Sequence, residues 1–560
     1  MKYYLPLLLV LIGITHLISV QSCQSDKALF DKKYPDISIN LNDDRAKQVA
    51  DKIRQEVAVT LANDLNLTLW ASDSLVNDPI AISMDPQGGI YYTQGNRIEN
   101  SEFDIRGHRD WMTQSISWQS VEDRRDFIRK TFTDDSEQSQ KHLKDLNEDG
   151  VLNWKDLTIE KEEVWRVSDE SGDGYADQAR LYIADFHEEI SDLANGVEFF
   201  DDDVYVAVGP DLWKTTDVDQ DGIADEIESL AHGFAVHIGF GAHGMSGVTV
   251  GPDGRIWWGI GDIGMNVVDQ NGKEWKYPNQ GVIVRCEPDG SNFEVFSAGH
   301  RNTHEFVFDE YGNLFSEDND GDHRGERERL VYIVNGNDSG WRINWQFGKY
   351  TDPDNNLYKV WMDEKMHLPR WDGQAAYIIP PITNYVNGPT GMVYNPGTAL
   401  GEKWAKHFFI AEFRGTPAKS PIHAFTMKPK GAGFDLDQTQ EVVKGLLPTG
   451  LDFGPEGALY FGDWIDGWGA KHGGRIWKLD SDDAALSAIR QQTKELIQTD
   501  FQALDNATLI QHLSFQDMRV RMKAQFELAK RGDDGYASLK SAADSSTDQL
   551  QKIHAMWGMG

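Results

Sequence analysis

The chain has 560 residues, enough for one large domain and a smaller one, and its 18 Trp and 25 Phe supply material for an extensive core. A net charge of −36 argues against a nucleic-acid partner, whose phosphates require Lys and Arg. The only cysteines, Cys23 and Cys286, do not make a disulfide framework.

Met1-Lys2-Tyr3-Tyr4 precedes an apolar run from Leu5 to about Val20 that ends in small residues, the pattern of an export signal over residues 1–23. Val20-Gln21-Ser22-Cys23 resembles a bacterial lipobox, which would make Cys23 the lipidated first residue; ordinary cleavage is the alternative. No later run is long and apolar enough to span a membrane. The expected location is periplasmic or at the cell surface, with membrane contact only through a lipid anchor in the outer membrane.

Residues 24–62 read as a linker and a helix, Asp43–Ala62, followed by strand signal at Leu65–Trp70. A turn-strand unit then recurs at roughly 50-residue intervals. It appears as DPQGGIYYTQ from Asp85, DDDVYVAVG from Asp201, GPDGRIWWGIGD from Gly251, DEYGNLFSED from Asp309 and GPEGALYFGDW from Gly454, with KWAKHFFIAEF from Lys403 as a further member. Proline presets φ in such turns and glycine accepts positive φ, so each unit reads as a hairpin within a blade. The fold expected over 63–480 is an all-β propeller.

A polar insertion, 98–160, interrupts the rhythm and is expected to cap a rim, with a helix near Val121–Phe132. Its RGHRDW string, Arg106–Trp111, is a candidate ligand-facing loop. Asn344–Tyr350 and Asp463–Gly469 are aromatic-rich, and suit either inter-blade packing or stacking on sugar faces. From 481 to 560 the composition turns helical, with segments at Ala484–Ile497, Ala507–Leu513, Asp517–Lys530 and Asp548–Met556. Phe515–Gly532 resembles a HEAT-type repeat, with Val520, Ala524 and Leu528 on one face. Such arrays need about three repeats, so the helical region reads as truncated.

Three acidic loops have calcium-ligand spacing. Asp217, Asp219 and Asp221 precede Gly222 and continue to Asp225 and Glu228; Asp145, Asn147 and Asp149 precede Gly150 and continue to Asn153 and Asp156; Asp169, Ser171 and Asp173 precede Gly174 and continue to Asp177. Calcium is expected to brace these loops, and a solvated acidic turn is the alternative.

His243 ahead of a GPDG strand, the Gly299-His300-Arg301-Asn302 string, the acidic segment Ser316–Leu330 and Asn337-Asp338-Ser339-Gly340-Trp341 together resemble the glucose/sorbosone dehydrogenase family. The closer resemblance is to membrane-bound dehydrogenases that carry HEAT repeats and often a cytochrome c domain. It implies a six-bladed propeller using pyrroloquinoline quinone (PQQ) and calcium, the cofactor-side calcium falling near Glu317–Asp322. His243 would be the general base, Arg301 would stabilise charge on a quinone oxygen, and Asn302, Thr390 and Arg414 would line the cofactor pocket. Imidazole suits a base because its pKa lies near working pH. The family's cofactor-binding cations fall on Phe413, Leu447 and Thr449, so PQQ would lose charge-assisted bonds there. No Cys-x-x-Cys-His is present to attach a c-type haem, so electrons are expected to leave to a separate acceptor, such as a cytochrome c, or to a domain lost from the C-terminus.

Three functions follow from these residues. The first is an exported oxidoreductase acting on a sugar, polyol or related alcohol. The second is a non-catalytic propeller–HEAT module that binds at the cell surface. The third is a metal-dependent hydrolase or lactonase, which would need Glu317, Asp320, Asp452 and Asp463 to converge on one ion.

Overall fold

The computed structural model describes residues 28–29, 34–321, 327–351, 370–371, 378–482 and 487–560; the segment expected to be an export signal, with Cys23, and Asp322 lie outside them. All six recurring units occupy one structural position, the turn from the first to the second strand of a blade. In the unit at Asp85 the carboxylate accepts the N–H groups of Gln87 and Gly89 at 2.9 and 2.8 Å, and Gly88 takes a φ of +97°. The second strands are Ile90–Gln94, Asp203–Val208, Ile256–Ile260, Leu314–Asp318, Phe408–Glu412 and Leu459–Asp463, and nearly every residue in them is buried. Burial along nearly the whole strand, with no solvent-facing side, suits strands covered on both faces.

The corresponding first strands are Pro79–Met84, Gly196–Phe200, Met245–Val250, Thr303–Phe308, Pro389–Tyr394 and Pro448–Phe453. Each packs against the first strand of the next blade, and the sixth packs against the first, which closes a ring around a central channel. The protein is therefore a six-bladed β-propeller with helices at its C-terminus. The fourth strand of blade 6 is Asn66–Ala71, from the start of the chain, paired antiparallel to Arg475–Asp480. This pairing ties the two ends of the propeller together and removes an open edge.

The stretch expected as a linker is instead a strap along the rim. Ala28–Leu29 pairs with blade 2, Ser38–Asn40 with blade 1 and Thr60–Leu61 with blade 5. Helix α1, Asp43–Glu56, starts at Asn42, whose side chain accepts the Arg45 N–H, and it ends before residue 62 because Thr60 and Leu61 join a sheet. Within the insertion, α2 (Val121–Thr131) forms with a capping box at Ser120. Trp111, Phe127 and Phe132 of the insertion share a core with Tyr205 and Trp258 of blades 2 and 3, so the insertion is part of the body of the molecule.

The C-terminal helices are α3 (Ala488–Gln498), α4 (Asn506–His512), α5 (Met518–Lys530), α6 (Gly532–Ser545) and α7 (Gln549–Trp557). Val520, Ala524 and Leu528 are fully buried on one face of α5, as their spacing predicts. Helix α6 is absent from the expected set because Gly532-Asp533-Asp534-Gly535 is a poor helix opening. Gly535 is there for packing: a Cβ on it would lie 1.9 Å from the Leu528 carbonyl oxygen. The helices cover the turn end of the propeller. Arg519 donates to the carbonyls of Phe453 and Gly454 at 2.9 and 2.8 Å, Gln525 to Pro252 at 2.7 Å, and Lys530 pairs with Asp201. One end of the channel is thereby capped and the other is left as its mouth.

Candidate active site at the open end of the channel

The first strands all start at the open end, so residues just before or at those starts converge there. Ile80, Asn195, His243, Asn302, Thr390 and Thr449, one from each blade, line a cavity of about 870 Å³. Arg301 and Arg414 line it too, so every residue expected to be catalytic or cofactor-binding reaches this one space.

His243 ends the Phe240–His243 loop and is 4% exposed. Its Nδ1 lies 2.8 Å from Asp262 Oδ1, and Asp262 Oδ2 accepts the Trp341 indole N–H at 2.8 Å. The carboxylate fixes a proton on Nδ1 and leaves Nε2 as the acceptor atom for the cavity. Burial pushes the imidazole pKa below its usual value, with the nearby Arg301 guanidinium adding to the effect and Asp262 opposing it. Gly261 is needed for this approach, since a Cβ on it would lie 2.5 Å from the His243 carbonyl oxygen.

Arg301 and Asn302 are held by their backbones: both N–H groups donate to Asp318 at 3.0 Å, and Asp318 pairs with the buried Arg329. The Arg301 guanidinium donates to the Asn319 carbonyl at 2.6 Å and lies 5.2 and 5.3 Å from the ring centres of Phe240 and Trp341. Asn302 Nδ2 bonds the Ala242 carbonyl and lies 2.9 Å from His304 Nε2, while burial pushes His304 down to about 3. Asn302 Oδ1, both amide atoms of Asn195 and the Trp464 indole N–H are buried with no hydrogen-bond partner in the protein. Thr390 sits at the strand start on blade 5, 3.4 Å from the Pro448 and Thr449 carbonyls. Arg414 is half exposed at the rim, 3.7 Å from Glu412.

The insertion supplies wall residues that the sequence pattern does not single out. Glu102 accepts the Ala242 N–H at 3.2 Å and Asp104 the Gly241 N–H at 3.1 Å, while the Ile105 N–H donates to Gly239 at 2.8 Å. The loop carrying His243 is thus gripped at three points. Arg106 pairs with Asp104 and stacks on Phe240 at 4.8 Å, whereas His108 and Trp111 of the same string stack on each other within the insertion. Burial, with Asp192 nearby, pushes Glu102 up to about 8. The anchors Asp262 and Trp341 were legible as the last residues of two quoted strings, but their pairing with His243 is a long-range contact.

A tricarboxylate quinone needs cations, and the structure tests that need. Phe413 packs edge-on against Trp468, Leu447 is fully buried, and the Thr449 hydroxyl donates to the Pro79 carbonyl. None of the three replaces a lysine or arginine. Three guanidinium groups nevertheless line the cavity, Arg106, Arg301 and Arg414, together with the unsatisfied amides. Glu102, Asp104, Glu305 and Glu328 line the same cavity; the groups that would meet an anionic ring system are Arg301 and Arg414, as the resemblance implies, joined by Arg106 from the insertion.

The acidic loops are on the rim and not in this cavity. Asp217, Asp219 and Asp225 bring one carboxylate oxygen each within 4.8 Å of one another, with Gly222 at φ +86° in the bend. Asp221 shares that turn, and Glu228 lies on the following strand outside the trio. In the other two loops Asp145 and Asp169 accept the N–H groups of Gly150 and Gly174 in the same manner. Asn153 and Asp156 there form a capping box, Asn147 and Asp149 bond each other, Ser171 bonds Asp169, Asp173 accepts the Tyr175 N–H, and Asp177 accepts from Glu170 and Ser171. Among the described residues, neither loop brings three acidic groups within reach of one ion. The hydrolase quartet does not converge either: Asp463 is spent on Leu447, Ile465 and Trp477, and Asp452 on Met84 and Phe453.

Residues 54–468 match the model of a family described as a domain of unknown function (DUF7133). The chain belongs to that family. No curated protein matches it. Among solved structures, this DUF7133 protein is similar to the PQQ-bound aldose sugar dehydrogenase of Streptomyces coelicolor at 16% identity and a TM-score of 0.40, over 75% of this chain and 99% of that one. It is similar to the holo PQQ domain of Coprinopsis cinerea pyranose dehydrogenase at 10% and 0.41, over 76% and 97%. It is also similar to the apo soluble aldose sugar dehydrogenase of Escherichia coli at 11% and 0.39, over 74% and 99%. The six-bladed arrangement itself rests on the strand pairing of this chain.

Proposed function

We propose that this DUF7133 protein is an exported oxidoreductase that oxidises a sugar or related alcohol in the axial cavity. The observation that carries this reading is His243: a buried imidazole whose Nδ1 is fixed by Asp262, leaving Nε2 as its free acceptor, and which lines a polar cavity together with Arg301. A neutral, oriented imidazole is the group needed to take the proton of a substrate hydroxyl. Asp262 holds the ring and steadies the imidazolium that results, while Trp341 holds Asp262. Arg301, kept in place by Asn319 and Asp318, offers fixed positive charge where negative charge develops. Asn195, Asn302 and Trp464 orient hydroxyl groups, and the walls of the cavity exclude bulk water. PQQ, when bound, supplies a two-electron acceptor for hydride; Arg106, Arg301 and Arg414 would meet its carboxylates. Electrons then leave to a separate acceptor, such as a cytochrome c. Cys23 anchors the protein to the outer membrane, and calcium braces the Asp217 loop.

The test is dye reduction by the purified chain, supplied with PQQ and calcium, across a panel of aldoses and polyols. Activity is expected with at least one sugar and is expected to vanish in His243→Ala. Saccharide binding without dye reduction favours the surface-binding module, a reading supported by Phe413, Leu447 and Thr449 standing where cations are implied.

A further inference from the structure

Trp468 follows the second strand of blade 6 at the mouth of the cavity and is 69% exposed, more than any other large apolar side chain among the described residues. Leaving so large an apolar ring in water forgoes the stabilisation that its burial would give. The ring is nonetheless held in one place. Phe413 meets it edge-on with centroids 5.2 Å apart, and the Gly467 N–H donates to the Gly415 carbonyl at 3.1 Å. A Cβ on Gly415 would lie 2.3 Å from the indole nitrogen, and Gly415 takes a φ of +65°. Only glycine admits the ring there.

Asn195, Asn302 and Trp464 line the same cavity as this fixed indole, and each keeps a buried amide or indole atom that has spent no hydrogen bond within the protein. An exposed aromatic face sharing a cavity with neutral donors and acceptors matches a pyranose, which presents C–H bonds on its ring face and hydroxyls at its edge. We propose that Trp468 is a stacking subsite for the second unit of an oligosaccharide whose terminal unit enters the axial cavity. The inference rests on the carbohydrate reading of that cavity and specifies its substrate as a chain and not a single sugar.

Titration calorimetry of the full chain with glucose, maltotriose and cellotriose tests it. One trisaccharide is expected to bind about tenfold more tightly than glucose. In Trp468→Ala that advantage is expected to collapse to about unity, and Gly415→Ala, which displaces the ring, is expected to reduce it as well. Circular dichroism checks that both variants fold. Equal affinity for glucose and both trisaccharides in the unaltered chain, or no saccharide binding, overturns the subsite; so does an advantage that survives Trp468→Ala. Dye reduction with no trisaccharide preference overturns the subsite and leaves the oxidation reading standing. A trisaccharide preference with no dye reduction overturns the oxidation reading and leaves the subsite standing.

Discussion

His243 and Asp262 are 2.8 Å apart on a single blade, and this short contact carries most of the chemistry proposed for the molecule. Asp262→Asn removes a charge that holds the imidazole pKa up and frees the ring to take the wrong tautomer. Activity is expected to fall by about 10²–10⁴-fold, and the acidic limb of kcat against pH, below the ordinary histidine value, is expected to move to still lower pH. Steady-state rates across pH check both. Buried carboxyls give a second prediction. Glu102 and Glu305 are each pushed up to about 8 by burial, so the folded state keeps protons that the unfolded chain releases near pH 4.5. Stability is therefore present below that pH and lost as pH rises toward 8. His237 and His300, pushed down to about 4, act in the opposite sense, and their contribution is complete by about pH 7. From pH 7 to 8 the carboxyl loss continues, and the thermal midpoint in chelator is expected to fall over that interval.

At the scale of elements, the turn-strand units were legible because each depends on local chemistry: an acidic or glycine-proline turn, then a buried strand of five or six residues rich in apolar side chains. The quoted units fall on the second strands of all six blades, including the Lys403 unit, which lacks the turn signature. The strap was not legible, since Ser38–Asn40 and Thr60–Leu61 are too short to show a period and pair with residues far along the chain. Helix α6 was hidden for the reason already given at Gly535, where packing against Leu528 outweighs helix propensity. Leu69 lies on the closing strand at 1% exposure, so Leu69→Ala is expected to cost about 2–5 kcal/mol and to lower the urea midpoint. In the Asp217 loop, ligand spacing predicted the group and the structure gathers three of its carboxylates. Calcium well above its dissociation constant is expected to raise the thermal midpoint, by about 2.7 kcal/mol of stability at a hundredfold excess. Asp217→Asn with Asp219→Asn is expected to remove that rise.

Across the whole molecule, the propeller sorts one set of residues to each end. Strand starts carry His243, Asn302 and Thr390 to the open mouth, and the turns at the other end bind the C-terminal helices. The candidate site was legible residue by residue wherever a motif named it. Its wall was not, because Glu102, Asp104 and Arg106 come from an insertion whose path over blade 3 only the fold reveals. A single ring thus joins a distant insertion, a buried base and an exposed indole around one cavity. The most direct measurement of the central claim is an equilibrium titration of the purified chain with PQQ, in calcium and then in chelator. Saturable binding that Arg301→Ala weakens at least about tenfold, followed by sugar-dependent dye reduction, is the expected result. A folded protein that leaves PQQ unbound under both conditions would contradict it.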